Sequence, residues 1–139
     1  MNDAKRRLLW HGILLVFMGL LTGAFLQSYT NPRLGLSAHL GGVMNGTFVA
    51  LIGVAWDQLR LSPRPAAALF WSAVYSGYAN WVGLFLAAVF GTSRTTPMLG
   101  AGHAGAPWQE ALVGFFLGTG AVVILVACVL MLRGLAARR

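Results

Sequence analysis

Three side chains stand out for their surroundings: His39, Asn45 and Asn80 place an imidazole and two carboxamides inside stretches that are otherwise almost purely apolar. Polar groups in such company are costly, so they serve either function or helix pairing. A neutral imidazole is a common ligand for metals and for haem iron. Only one histidine lies within a long apolar run, with no cysteine or carboxylate beside it, so a zinc site built from several protein ligands is not expected. A macrocycle that brings its own four nitrogens needs only one protein ligand. The plainer alternative is that His39 bonds a backbone carbonyl.

These groups ride on four apolar blocks, each of roughly 19 to 25 residues, long enough to cross a hydrocarbon core of about 30 Å as helices. The composition agrees, with 58% hydrophobic and 9% charged residues in 139. The expected fold is a single all-α transmembrane domain over 1–139, a four-helix bundle with helices at about 8–26, 37–57, 66–90 and 109–132. Ser37 is expected to cap the second helix. Asn31-Pro32 is read as the turn before it, and Leu61-Ser62-Pro63-Arg64-Pro65 as the next break.

At 1.5 Å per residue, Asn45 and Asn80 lie roughly 12 and 15 Å below the outer ends of their helices, close enough in depth to share a cavity. His39 sits nearer the outer end. Six residues turn a helix by about 600°, so His39 and Asn45 are about 120° apart around the axis and face different neighbours. Those neighbours are either helices of the same chain or copies in a closed oligomer. Tyr75, Ser76 and Tyr78 add hydroxyls to the third helix.

The net charge of +7 comes from bases at block ends, which points away from nucleic acid. Lys5, Arg6, Arg7, Arg60, Arg64, Arg133, Arg138 and Arg139 flank one side, against Arg33 and Arg94 on the other. This asymmetry places both termini in the cytoplasm of a bacterial-type inner membrane. Trp10, Trp56, Trp71 and Trp108 fall near the interfaces, whereas Trp81 is interior and suits packing or pocket lining. Three GxxxG pairs, Gly19/Gly23, Gly42/Gly46 and Gly114/Gly118, favour close helix packing inside the bundle or between subunits. His11 is expected to be an interfacial, solvated imidazole, and Cys128 a small hydrophobe. The stretch 91–107 is long for a connector and is read as a lid or binding loop; His103 in it is expected to be flexible and solvated, the alternative being a second axial ligand. Serine or cysteine nucleophiles with a base, Walker loops and dinucleotide fingerprints are absent, as is any central carboxylate of the kind a proton-coupled carrier uses.

The segment His39-Leu-Gly-Gly-Val-Met-Asn45-Gly46, with Asn80-Trp81 in the third helix and a Gly-rich outer loop, resembles the hydroxylaminobenzene mutases, relatives of the styrene oxide isomerases. The resemblance implies conversion of an aryl hydroxylamine to an ortho-aminophenol, as in nitroaromatic degradation. It further implies a homotrimer with haem b between subunits, His39 as axial ligand and Asn45 at the substrate. Asn80 is expected to share the orienting role, with Trp81 and Phe85 holding the ring. Arg33 and Arg94 are either partners of haem propionates or plain interfacial arginines. The isomerases also use a tyrosine of the third helix; Tyr78 is the nearest candidate here, although a gapless comparison puts Leu84 at that position. Two alternatives stand beside this reading: an aryl epoxide isomerase, and a non-enzymatic transporter subunit or scaffold.

Overall fold

The computed structural model describes residues 3–136, and within them the chain forms four α-helices and no strand. They are α1 (Asp3–Ala24), α2 (Pro32–Ala55), α3 (Pro63–Phe90) and α4 (Pro107–Ala136), with short 3-10 turns at Leu26–Ser28 and Trp56–Gln58. The four-helix, all-α architecture expected from the apolar runs is the one observed. Arg138 and Arg139 lie outside the described residues.

All four helices start earlier than expected, and three of them open on a proline, a residue that the sequence alone suggests is a breaker. At the first helical position the missing N–H has no bond to lose, so proline there is favourable. Asn31, rather than Ser37, caps α2: its Oδ1 accepts from the backbone N–H of Arg33 at 3.1 Å and of Leu34 at 3.4 Å. Ser37 lies one turn inside the helix, its hydroxyl donating to the Arg33 carbonyl at 3.2 Å. At the far end of α3, Gly91 adopts φ 67°, the left-handed conformation that terminates a helix cheaply only in glycine.

The helices have 22 to 30 residues, or about 33 to 45 Å at 1.5 Å per residue. Each is long enough and apolar enough to cross a membrane. Large apolar side chains cover their outer faces, among them Phe17, Met44, Leu125 and Leu132.

Neighbouring helices run up and down. Glycine sets the α1–α2 seam: a Cβ added at Gly12 would lie 2.6 Å from the Ala50 nitrogen, and one at Gly46 would lie 2.6 Å from the Gly12 carbonyl oxygen. Helix α3 is the most buried; one apolar cluster around Leu8, Ile52, Leu69 and Ala73 joins it to α1 and α2, and another around Leu34, Ala87 and Val113 joins it to α2 and α4. Helix α4 packs chiefly on α3 and is the least buried. Two of the three glycine pairs therefore lie inside the bundle. Gly118 of the third has open space before it, with nothing within 4 Å of an added Cβ.

Candidate functional site

Asn45 and Asn80 meet across the α2–α3 seam. Asn45 Nδ2 donates to the Gly41 carbonyl at 2.7 Å and to Asn80 Oδ1 at 2.9 Å. A backbone carbonyl can only accept, so the atom facing Gly41 must be the nitrogen, and the Asn80 atom facing that nitrogen must be the oxygen. The network thus fixes both amide orientations. It leaves Asn45 Oδ1 as an acceptor and Asn80 Nδ2 with both of its protons, neither engaged with another described residue. The matched depths expected from the rise per residue are realised. Within the chain, Asn45 bonds a neighbouring helix, which is one of the two arrangements its position allows.

His39 is turned to the other flank of α2, as the 120° rotation requires. Its Nδ1 lies 2.9 Å from the Gly19 carbonyl on α1. By the same rule Nδ1 of the neutral ring carries the proton, and Nε2 keeps a lone pair that no described residue takes up. Such a carbonyl bond fixes the tautomer and raises the basicity of the other nitrogen, which is how ligating histidines are held. No group of three or more His, Cys, Asp or Glu side chains able to hold a metal ion occurs among the described residues. The donor set therefore fits a group that brings most of its own ligands, with His39 Nε2 as the protein's contribution.

A third feature lies at the α1–α3 seam, a cavity of about 370 Å³ lined by Met18, Leu21, Thr22, Phe25, Ser28, Tyr29, Trp81 and Phe85. Trp81 and Phe85 stack at 5.3 Å between centroids with planes 17° apart, and Tyr29 meets Phe85 edge-on at 5.8 Å. The polar atoms of the wall are already paired, which fixes how its rings are presented. Trp81 Nε1 donates to the Thr22 hydroxyl at 3.1 Å, which donates to the Met18 carbonyl at 2.8 Å. Tyr29 donates to the Thr22 carbonyl at 3.1 Å, and burial raises its phenol above the usual range, which keeps it a donor. Trp81 and Phe85 come together as expected. Thr22 and Tyr29 carry no signal in the sequence, where a lone threonine in an apolar run is unremarked and a tyrosine beside a turn is commonplace.

The other expected residues are distributed differently. Tyr78 does not join the carboxamides; its hydroxyl lies 3.2 Å from His11 Nδ1, and its ring packs against the cluster around Phe70. Two residues along α3 rotate it by about 200° from Asn80, toward α1. His11 is accordingly a partly buried partner of Tyr78, not a solvated interfacial ring. Arg33 Nη2 donates to the Ala101 carbonyl and so ties down the loop between α3 and α4. Arg94 is exposed, its backbone N–H donating to Glu110.

The loop between α3 and α4 is fastened at several points. Glu110, 5% exposed, accepts from the backbone N–H groups of Ser93 (2.9 Å), Arg94 (2.9 Å) and Gly105 (3.1 Å). Asn31 Nδ2 donates to the Leu99 carbonyl at 2.8 Å, and His103 Nε2 lies 3.1 Å from the Thr30 carbonyl. His103 is thus held, with its Nδ1 buried and unpartnered, rather than free in solvent. In the sequence the clasp shows only as an acidic residue in the first turn of a helix after a Gly-rich stretch. Acidic residues are favoured in any first turn by the helix dipole, so the pattern does not single out a clasp.

Comparison with known proteins gives two kinds of match. A family model described as styrene oxide isomerase matches residues 4–136. The hydroxylaminobenzene mutase HabB of Ectopseudomonas oleovorans is 46% identical over 131 residues, covering 94% of this chain and 80% of that protein. The hydroxylaminobenzene mutase HabA of the same organism is 34% identical over 125 residues, covering 89% and 93%.

Proposed function

Since the chain belongs to the styrene oxide isomerase family, together with the hydroxylaminobenzene mutases, we propose that it is a membrane-bound mutase. In this reading it moves oxygen within an aryl hydroxylamine from nitrogen to the ortho ring carbon, giving an ortho-aminophenol. The 46% identity to a protein named for that reaction, extending over 94% of the chain, carries the assignment. Enzymes of isomerase type are what the family comprises, and the scaffold and transporter readings are set aside on that ground.

The net reaction loses a proton from the ring carbon and gains one at nitrogen, so it needs orientation and dryness more than an external reagent. Asn80 Nδ2 donates to the hydroxyl oxygen, and Asn45 Oδ1 accepts from the hydroxylamine N–H or O–H; Asn45 Nδ2 locks Asn80 in the required orientation. The aromatic wall of Trp81 and Phe85 receives the ring and keeps out water that would otherwise intercept the electron-poor ring. Haem b is the cofactor in this reading: His39 Nε2 would hold it, and Arg94, together with the Arg33 donors not used on the Ala101 carbonyl, would be available to its propionates. When bound, it supplies a Lewis-acid iron for N–O cleavage. Tyr78 has no step here, because its hydroxyl is engaged with His11.

His39, the carboxamide pair and the apolar cavity occupy the α1–α2, α2–α3 and α1–α3 seams respectively, so no one compartment of a single chain holds all three. A homotrimer completes the site by setting one copy's His39 flank against another's carboxamides. In this reading both termini face the cytoplasm, which the excess of basic residues at one set of helix ends supports.

Detergent-purified protein should show a Soret band and convert hydroxylaminobenzene. His39→Ala should lose both together. The family model's description makes aryl epoxides the second substrate class, and a side-by-side assay with styrene oxide distinguishes the two. A colourless preparation with full turnover would exclude haem as the catalyst.

A further inference from the structure

We infer that Gly23 is a positioning residue for His39: the space above its Cα is reserved for the imidazole ring rather than for a second helix. The proposal rests on the reading of His39 as a haem ligand. It is carried by the three heavy atoms nearest a Cβ built at Gly23, all of which belong to that ring: Nδ1 at 2.5 Å, Cγ at 2.9 Å and Cε1 at 3.0 Å.

Gly19, the other half of the same GxxxG pair, has different company. Its added Cβ would meet α2 backbone, Val43 N at 2.8 Å, His39 O at 2.9 Å and Gly42 C at 3.0 Å. The two glycines therefore do different work. Gly19 brings the two backbones together, which sets its own carbonyl 2.9 Å from His39 Nδ1. Gly23, one turn further along α1, leaves the space into which the ring so bonded fits.

A methyl group at position 23 has no easy accommodation. Helix α1 cannot withdraw without opening the backbone contacts at Gly12 and Gly19. The imidazole has only two side-chain torsions, and rotating either one to relieve a 2.5 Å contact at Nδ1 breaks the bond to Gly19. The clash thus falls on the orientation and tautomer of the ring, which are what a ligating histidine requires from its surroundings.

The test compares the wild type, Gly23→Ala, His39→Ala and the double variant, all full-length in detergent. Two readouts are used: haem content with the Soret spectrum, and the thermal midpoint of haem-free protein. Gly23→Ala is expected to weaken haem retention by about 10- to 100-fold, the usual cost of losing an outer-shell partner of a metal ligand, and to shift the Soret band of whatever haem remains. It should lower the thermal midpoint when His39 is present. In the His39→Ala background the same change should be neutral or stabilising, since alanine is the better helix former once the ring is gone. That background also keeps the test decisive if Gly23→Ala alone fails to fold. Wild-type haem content and spectrum in Gly23→Ala, or additive effects on the midpoint, would overturn the proposal. A wild type that takes up no haem refutes the ligand role, and the thermal cycle then shows whether the steric coupling fails with it.

Discussion

Replacing Asn45 by alanine tests the coupling on which the proposed chemistry rests. Two hydrogen bonds disappear, at 2.7 Å to the Gly41 carbonyl and 2.9 Å to Asn80 Oδ1. The Gly41 carbonyl keeps its helical partner, so its loss is small. The bond between helices is the larger item, and in membrane bundles such bonds average about 0.6 kcal/mol. With the volume lost at a half-buried position, destabilisation should come to about 1–2 kcal/mol. The effect on turnover should be greater. Without its partner Asn80 is free to rotate and present oxygen where a donor is needed, and loss of one preorganised donor typically costs about 10²–10³ in kcat. Asn80→Ala should fall in the same range, and the double variant should be little worse than either single one, because the pair acts as a unit. Steady-state turnover of hydroxylaminobenzene, with thermal unfolding measured on the same preparations, reads both quantities. The Soret band should stay largely in place in all three, since none of them touches the Gly19 bond that orients His39. If the two substitutions multiply independently, or if Asn45→Ala keeps nearly full turnover, the paired-carboxamide reasoning is wrong.

Glu110→Gln keeps the shape of the loop clasp but replaces one accepting oxygen by a donor that faces backbone N–H. Stability should fall by about 1–3 kcal/mol, with limited proteolysis appearing between 93 and 105; an unchanged digestion pattern would count against the clasp. Gly12→Ala forces a Cβ to within 2.6 Å of the Ala50 nitrogen, so α1 and α2 must separate, at a cost of about 1–3 kcal/mol in thermal or denaturant unfolding. The same change at Gly118, which meets nothing within 4 Å, should leave the monomer's stability intact, and any loss there reports a contact between copies.

Much of this is legible in the sequence because it is one-dimensional. The length and polarity of a run decide whether it can form an apolar helix of spanning length, so four helices can be counted directly. A fixed rise per residue gives depth, so Asn45 and Asn80 fall at one level before any packing is known. A fixed rotation per residue gives relative azimuth, so His39 and Asn45 have to face apart. Even the start of α2 is present in Asn31-Pro32, a capping pair that looks like a turn until the helix behind it is seen.

Which neighbour each face meets was decided only by the tertiary structure. Azimuth within one helix says nothing about where another helix lies; that follows from where glycines let two backbones touch, as at Gly12 and Gly46. Packing alone gave Tyr78 to His11 instead of to the carboxamides, turned Glu110 inward to hold a loop, and set His39 over a glycine on another helix. Local sequence encodes what a residue offers and at what height, whereas the partner that receives it is fixed by contacts between segments far apart in the chain.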